Sequence, residues 1–443
     1  ARDWWPIALR WARHGDVPAR AAVVVRPETA AQVAQVLAVC SRAQVPVTPA
    51  AGRSGVCGGA VPVFGGVSLD LAGLAGVVGV DDDSLLVTVR AGTNGADLEG
   101  RLRAGHGLVL GHRPQSIALS TVGGWLACRS AGQYGKIEDM VVDLEVALAD
   151  GSLVRTGAPG PRSATGPDLT QLFVGSEGVL GVITEAVLRA APLPPAERRA
   201  AFGFAAFADG LDACRRVLRR GATPAVLRLY DEVESARAFA LEGRCVLLVL
   251  DEAEPRLADA VLHVVGEECA AAERLDDALV ERWIDHRDDV SALEGLLAAG
   301  LVVDTCEVAG PWSALPGVHR EALDALRAVP GTLAASAHQS HAYRDGACLY
   351  FTFAGRREGG DGDGPGDAYY REAWDAVTGA VLGAGGSLSH HHGIGLNRGR
   401  FLAAARGGAF AVLVALKAAL DPAGVLNPGK LGLPSPWGAP PWP

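Results

Sequence analysis

Three histidines stand in a row at His390, His391 and His392, with Gly385-Gly386 before them and Gly393-Ile394-Gly395 after. Glycines on both sides put the imidazoles on a tight turn, where they can move protons near neutral pH. The plain alternative for a histidine is core or surface filler, and a triplet framed by glycines argues against it. Three other stretches have the composition of an anion cradle. Thr48–Gly59 (TPAAGRSGVCGG) follows an apolar run and is nearly free of bulky side chains, so its backbone N–H groups can converge on a phosphate. An ordinary Gly-rich turn is the competing reading. The loop is not G-x-G-x-x-G opening a helix, and no Gly-Lys-Ser/Thr of a Walker A loop occurs. Pro114–Gly124 (PQSIALSTVGG), with Arg129–Gly132 (RSAG) behind it, joins hydroxyls, glycines and one arginine, the donors that a pyrophosphate needs. Gly175–Ile183 (GSEGVLGVI) is a glycine-punctuated turn running into a strand.

The elements that must position these residues follow from periodicity. Strands are expected at 22–26, 45–48, 67–71, 85–90, 141–149 and 181–188, and helices at 29–43 and 96–104. Pro192–Pro195, followed by the charged Glu197–Arg199, reads as a linker. Beyond it, helices are expected at 211–220 and 255–278 and strands at 245–250 and 347–353. Residues 358–367 (EGGDGDGPGD) read as a flexible acidic loop without the ligand spacing of an EF-hand. The Pro/Gly-rich tail after Lys430 reads as extended or frayed. No internal repeat is visible.

At 443 residues the chain exceeds the roughly 250–300 at which a single core stops growing, so more than one domain is expected. A hydrophobic share of 49% and a charged share of 20% exclude a disordered chain. The net charge of −10 argues against a general nucleic-acid binder. The only lysines are Lys136, Lys417 and Lys430, and that scarcity argues against Schiff-base chemistry. Eight cysteines are scattered without a C-x-x-C pair, as in a reduced, cytoplasmic protein. No apolar run approaches the length of a membrane span, roughly 18 residues. A small-molecule substrate is the expected partner, and a homodimer is left open.

Residues 114–125 (PQSIALSTVGGW), 162–168 (RSATGPD), 175–185 (GSEGVLGVITE), 347–351 (ACLYF) and 385–395 (GGSLSHHHGIG) together resemble the vanillyl-alcohol oxidase/p-cresol methylhydroxylase superfamily, in particular its alkylglycerone-phosphate synthase branch. The resemblance spans about residues 20 to 430. It implies an α+β fold: a two-subdomain PCMH-type FAD-binding domain at 1–191, an α+β cap or substrate domain at 192–384, and a C-terminal segment at 385–443 returning to the flavin. The implied cofactor is non-covalent FAD. Its implied contacts are Pro49, Ala50, Ala51, Gly52, Arg53, Ser54 and Gly55, then Gln115, Ser116, Ser120, Thr121, Val122 and Gly124, then Arg129, Ser130 and Gly132, and finally Glu177, Gly178, Val182 and Ile183. Relatives with covalent flavin use a histidine near the first loop; here the nearby nucleophile is Cys57, for which a small buried residue is the simpler reading.

The resemblance places Tyr350, His390, His391, His392 and Arg228 on the catalytic side, with a strand-end salt bridge as the bland reading of Arg228. It implies an FAD-dependent oxidase or dehydrogenase that removes a proton from a hydroxylated or activated C–H substrate with His391 or Tyr350 while hydride passes to flavin N5. One alternative is the branch's own alkyl transfer, without net redox change. A second is a metal-assisted D-2-hydroxyacid dehydrogenase, whose metal-binding histidine is matched here by Tyr350. His338, His341 and His391 are the zinc set that remains, and the expectation is no metal. A flavin-binding protein without catalysis would leave the triplet unexplained. The branch's phosphate-binding arginine falls on Leu293 when counted back from Val303–Glu307 (VDTCE), with Arg282 and Arg287 nearby, so an acyl-glycerone phosphate is disfavoured as substrate.

The purified protein is expected to be yellow and to release free FAD on treatment with acid or heat. Flavin that stays with the precipitate would implicate Cys57 in a covalent link, and a protein that takes up no FAD would end the family reading.

Overall fold

The computed structural model describes residues 3–157, 160–288, 291–356 and 363–440. The chain divides into two compact units, one formed by Ala1–Leu193 with His391–Pro443 and the other by Pro194–His390. The first unit holds two main sheets. In the smaller, Val67–Asp70 pairs in parallel with both Val23–Val25 and Val47–Ala50. The second runs in the order Leu153–Arg155, Val141–Ala147, Val182–Arg189, Leu86–Arg90, Val77–Asp81, with every pair antiparallel. Helix Ala30–Ala43 starts where the Thr29 side chain accepts from the Gln32 N–H at 3.2 Å, a cap that satisfies one of the helix's unpaired donors. Its Val33, Leu37 and Cys40 pack with Val47, Leu69, Ala147 and Val182, so one apolar core serves both sheets.

The second unit is built on a seven-stranded antiparallel sheet in the order Glu273–Leu275, Ala196–Phe204, Cys245–Ala253, Val226–Tyr230, Thr332–Ala342, Gly346–Gly355, Val302–Pro311. Val246, Leu248 and Leu250 pack with Phe239 and Val280, and the intervening Leu247 and Val249 are equally buried. Side chains alternate across a strand, so both faces are covered here, which is why this strand is apolar without interruption. Helices Phe207–Arg219, Pro255–Glu268 and Leu315–Ala328 lie against the sheet.

Several expectations are corrected. The helix expected at 255–278 ends at Glu268, because Glu273–Leu275 pairs with Ala201–Gly203 at the sheet edge before a new helix begins at Ala278. Local composition favours helix throughout, and the unfilled edge overrides it. The helix expected to stop before Gly105 runs to His106 and ends where Gly107 takes φ 64°. Glu197–Arg199 belong to a strand instead of a linker, and their charges are used there: Arg198 meets Asp259 at 2.6 Å and Arg199 meets Glu281 at 2.6 Å. Residues 363–367 of the acidic stretch open helix Asp363–Gly383, while 357–362 lie outside the described residues. The tail is packed: Leu431 and Leu433 are buried, and Trp437 lies against the first unit's core with its ring 6.3 Å from Phe64. Prolines remove ladder hydrogen bonds without preventing apolar contact.

Two of the three lysines are buried. Lys417 Nζ donates to the Val179 carbonyl at 2.8 Å, the Leu426 carbonyl at 2.7 Å and the Asp421 carboxylate at 2.5 Å. Burial lowers its pKa and Asp421 opposes that fall. Removing one partner of such a pair leaves the other charge uncompensated. Lys417→Met is therefore expected to destabilise the first unit by about 3–5 kcal/mol, read as a lower midpoint of urea unfolding.

Candidate active site

In the first unit the three glycine-rich stretches come together. Pro49 and Ala50 end the strand Val47–Ala50, and Ala51, Gly52, Arg53, Ser54 and Gly55 form the loop behind it. A Cβ on Gly52 would fall 2.2 Å from the Leu119 carbonyl oxygen, so only bare backbone fits between the first stretch and the second. Gly178, at φ 75°, would place a Cβ 2.5 Å from Pro49 Cγ, which docks the third stretch on the first. Arg53, in the left-handed region at φ 54°, points a guanidinium nitrogen at Asp70 across 3.7 Å.

The individual side chains are engaged to different degrees. Gln115 is exposed and Ser116 half-buried. Ser120 is buried and accepts from Trp125 Nε1 at 2.8 Å. Thr121 Oγ1 is buried with no hydrogen-bond partner among the described residues, directly before the helix Val122–Cys128 that contains Gly124. Arg129, at φ 57°, is paired with Glu138 at 2.9 Å, and Gly175 packs on its stem. Ser130 Oγ lies 2.6 Å from His112 Nε2, and Gly132 sits against the backbone of His112 and Arg113. Glu177 is occupied by the protein itself: its carboxylate accepts from the Ile394 and Gly395 N–H groups at 2.6 and 2.8 Å. Val182 and Ile183 are buried, at 1% and 6% exposed. His391 and His392 open this unit's C-terminal portion with their rings 4.5 Å apart.

In the second unit four strands carry one row of polar side chains. Tyr230 lies opposite His338, His338 opposite Tyr350, and Tyr350 opposite Glu307. A bulge between Gln339 and His341 shifts the register by one, so His341 comes opposite Cys348 on the same face as His338 despite the odd spacing between them. Arg228, two residues before Tyr230, donates from Nε to the Tyr230 hydroxyl at 2.8 Å and from Nη2 to His338 Nε2 at 2.6 Å. His338 Nδ1 donates to Glu234 at 2.7 Å, and its ring stacks on Tyr350 at 4.8 Å. Burial, then the Arg228 charge, hold His338 below its usual pKa. Burial would raise the Glu234 carboxyl, but the His338 hydrogen bond and the nearby Arg237 charge hold its pKa below the usual carboxylate range. Tyr350 donates to Thr305 Oγ1 at 3.1 Å; burial and the Glu307 carboxylate push its pKa well above the ordinary phenol range. At neutral pH Tyr350 is thus a donor and not the base expected as one option.

His390 Nε2 lies 2.9 Å from the Tyr343 hydroxyl, and its backbone N–H donates to Glu307 at 3.2 Å. The ligating atoms of His341, Cys348 and His390 lie within 4.8 Å of one another. The zinc set expected from sequence is thereby broken up, because both ring nitrogens of His338 are taken by Glu234 and Arg228. The side chain of Leu293 lies outside the described residues. Arg287 stacks over the Trp283 ring at 4.7 Å.

Residues 21–157 match the FAD binding domain family, and residues 193–431 match the family of FAD linked oxidases, C-terminal domain. The chain belongs to the FAD-linked oxidase family. The FAD-linked oxidoreductase YgcU of Escherichia coli (strain K12) is 31% identical, over 93% of this chain and 88% of its own length. Glycolate oxidase subunit GlcD of Bacillus subtilis (strain 168) is 29% identical, over 92% of this chain and 88% of its own. The structure of an alkyldihydroxyacetonephosphate synthase superposes with a TM-score of 0.74 at 26% identity, covering 92% of this chain and 77% of that one. p-Cresol methylhydroxylase, with a TM-score of 0.76 at 18% identity over 96% of this chain and 93% of that one, shares the fold. FAD is the cofactor of this oxidoreductase, and no single described helix is long and apolar enough to cross a membrane.

The first unit fits that cofactor. Its cradle is walled by positions where a Cβ would collide, and Thr121 Oγ1 and Arg53 Nε are buried donors without a partner among the described residues. Such groups are suited to meet phosphate or flavin oxygens. His112 escaped the sequence reading; its only signal is a histidine after the glycine that ends the apolar run 108–110. Burial drives its pKa from 6.5 to about 3, so the folded protein holds it neutral. Between these values the unfolded chain binds the extra proton, so this contribution is intact above pH 6.5 and is lost as pH falls toward 3. His112→Gln should flatten the acid side of the stability profile by up to about 1.4 kcal/mol per pH unit, measured by urea unfolding from pH 7 to pH 4. Equal slopes in variant and wild type would contradict it.

Proposed function

We propose that this FAD-linked oxidoreductase oxidises a small hydroxylated molecule that carries an anionic group, a 2-hydroxy acid being the simplest member of the class. The observation that carries this reading is Arg228. Its described hydrogen bonds use two of five donors, to Tyr230 and His338, and the remaining donors form a fork suited to a carboxylate. The relative named for glycolate oxidase is of the same chemical class. Bound FAD supplies the two-electron acceptor for the substrate C–H bond. The FAD-holding residues are those of the first unit: the Pro49–Gly55 loop, Gln115–Val122 with Gly124, the Arg129–Gly132 turn, and the backbone of Glu177 and Gly178.

In the second unit, Arg228 binds the anionic end of the substrate. The Tyr350 hydroxyl, kept protonated, turns its one O–H from Thr305 to the substrate oxygen when substrate binds. His390, whose ring is oriented by the Tyr343 hydroxyl 2.9 Å from Nε2, takes the hydroxyl proton. A second reading, metal-assisted oxidation, is favoured by the approach of His341, Cys348 and His390 within 4.8 Å, a ligand set suited to zinc.

Anaerobic mixing with a panel of hydroxy acids, sugars and alcohols is expected to bleach the flavin with at least one hydroxy acid. Tyr350→Phe should slow that reduction by about 10²–10⁴-fold with FAD content unchanged. Chelation followed by dialysis should leave turnover intact; activity lost with stoichiometric zinc would establish the metal-assisted reading. Formation of an alkyl ether from acyl-glycerone phosphate and a long-chain alcohol, without flavin bleaching by any panel member, would replace oxidation by alkyl transfer.

A further inference from the structure

An arginine on a strand can present donors in a fixed direction only if its own partners leave it one arrangement. Around Arg228 the hydrogen bonds form a directed chain within the second unit. Ser336 Oγ donates to Glu234 Oε1 at 3.1 Å, and His338 Nδ1 meets Glu234 Oε2 at 2.7 Å. A carboxylate only accepts, so the imidazole proton sits on Nδ1, and Nε2 of the neutral ring is left as an acceptor. Arg228 Nη2, which only donates, lies 2.6 Å from that Nε2, while Arg228 Nε donates to Tyr230 at 2.8 Å. The opposite tautomer, or a protonated ring, would set an N–H against the guanidinium.

The surroundings allow little movement. Glu234 and His338 are 2% and 6% exposed. The His338 ring lies 4.8 Å from that of Tyr350 and 5.3 Å from that of Tyr230. Asp231 accepts from the N–H groups of both Glu234 and Ala337, at 2.8 and 2.6 Å, which ties the helix start at Glu232 to the strand next to His338.

We propose that Glu234 and His338 are positioning residues: the Glu234 carboxylate sets the tautomer of His338, whose Nε2 holds the Arg228 guanidinium in the orientation that binds the substrate's anionic group. This rests on the reading of Arg228 as the substrate-binding cation. The pair touches no substrate and acts through Arg228.

The holoenzyme tests this in three ways. Ring-nitrogen NMR of wild-type protein should show His338 protonated on Nδ1 alone; a proton on Nε2 overturns the proposal without any variant. Glu234→Gln keeps the shape, but its amide can donate to Nδ1 and drive the proton to Nε2. His338→Phe keeps the ring stack and removes both nitrogens. Each variant should raise KM for the oxidised substrate, and the Kd of oxalate read from the flavin spectrum, by about 10- to 100-fold, with kcat nearly unchanged and FAD content full. Arg228→Ala should raise both constants at least as much. If Arg228→Ala raises them and the two variants do not, the positioning role falls while the reading of the site stands. If Arg228→Ala itself leaves them unchanged, the reading of the site falls. A purely structural pair would lower the unfolding temperature and leave KM and the oxalate Kd alone.

Discussion

A buried imidazole flanked by a carboxylate on one side and a guanidinium on the other has a single hydrogen-bonding arrangement open to it. His338 is in that position, and much of the second unit serves to keep it there. The strand order sets Tyr230, His338, Tyr350 and Glu307 side by side across four strands, and the bulge after Gln339 turns His341 toward the same face. Glu234 and His338 are 2% and 6% exposed, so their polar atoms must be satisfied within the protein. Polar groups that cannot reach water and are fully paired are rigid, and rigidity is what an oriented arginine requires.

The first unit meets a different constraint. A cofactor with phosphate oxygens needs backbone donors within hydrogen-bond reach, which excludes side chains from the space between the loops. Gly52 against Leu119 and Gly178 against Pro49 remove the Cβ atoms that would hold those loops apart. Behind them, neutral His112 and Trp125 take up the hydroxyls of Ser130 and Ser120, so the second stretch is braced from its buried side.

Residues 391–443 belong to the first unit through buried charge as much as through apolar contact. Lys417 binds the Val179 and Leu426 carbonyls together with Asp421. Lys430, fully buried, donates to the Val61 carbonyl, and its pKa falls to about 8 through burial, with Asp3 and Glu177 opposing the fall. Glu177, in the third glycine stretch, grips the backbone at Ile394 and Gly395, just after the triplet. The scarcity of lysine in this chain thus conceals a structural use. Lys417 is held by acceptors from separate segments, which a compact ammonium can meet and a planar arginine fork would not.

Sequence by itself determined the features that depend on near neighbours. Apolar patterning places strands such as Val67–Asp70, Leu86–Arg90 and Val182–Arg189, Thr29 marks a helix start, and the glycine-, serine- and threonine-rich stretches mark the FAD-binding unit, because backbone freedom and donor density are local properties. The resemblance drawn from those same stretches placed the family and the cofactor. Only the tertiary structure decided which distant residues meet. Glu234 and His338 are 104 positions apart, Arg228 and His338 are 110 apart, and nothing in their local composition sets them against each other. One register shift at Gln339 decides that His341 and His338 share a face, and a shift by one residue is invisible to periodicity. The same holds for His338, whose residue type offers a metal ligand while the fold occupies both of its nitrogens. It holds too for Tyr350, whose proton is kept by burial among strands that pair only in the folded sheet. Hydrogen-bond partners, burial and pKa are properties of the assembled neighbourhood, and that is why the chemistry of this site had to wait for the fold.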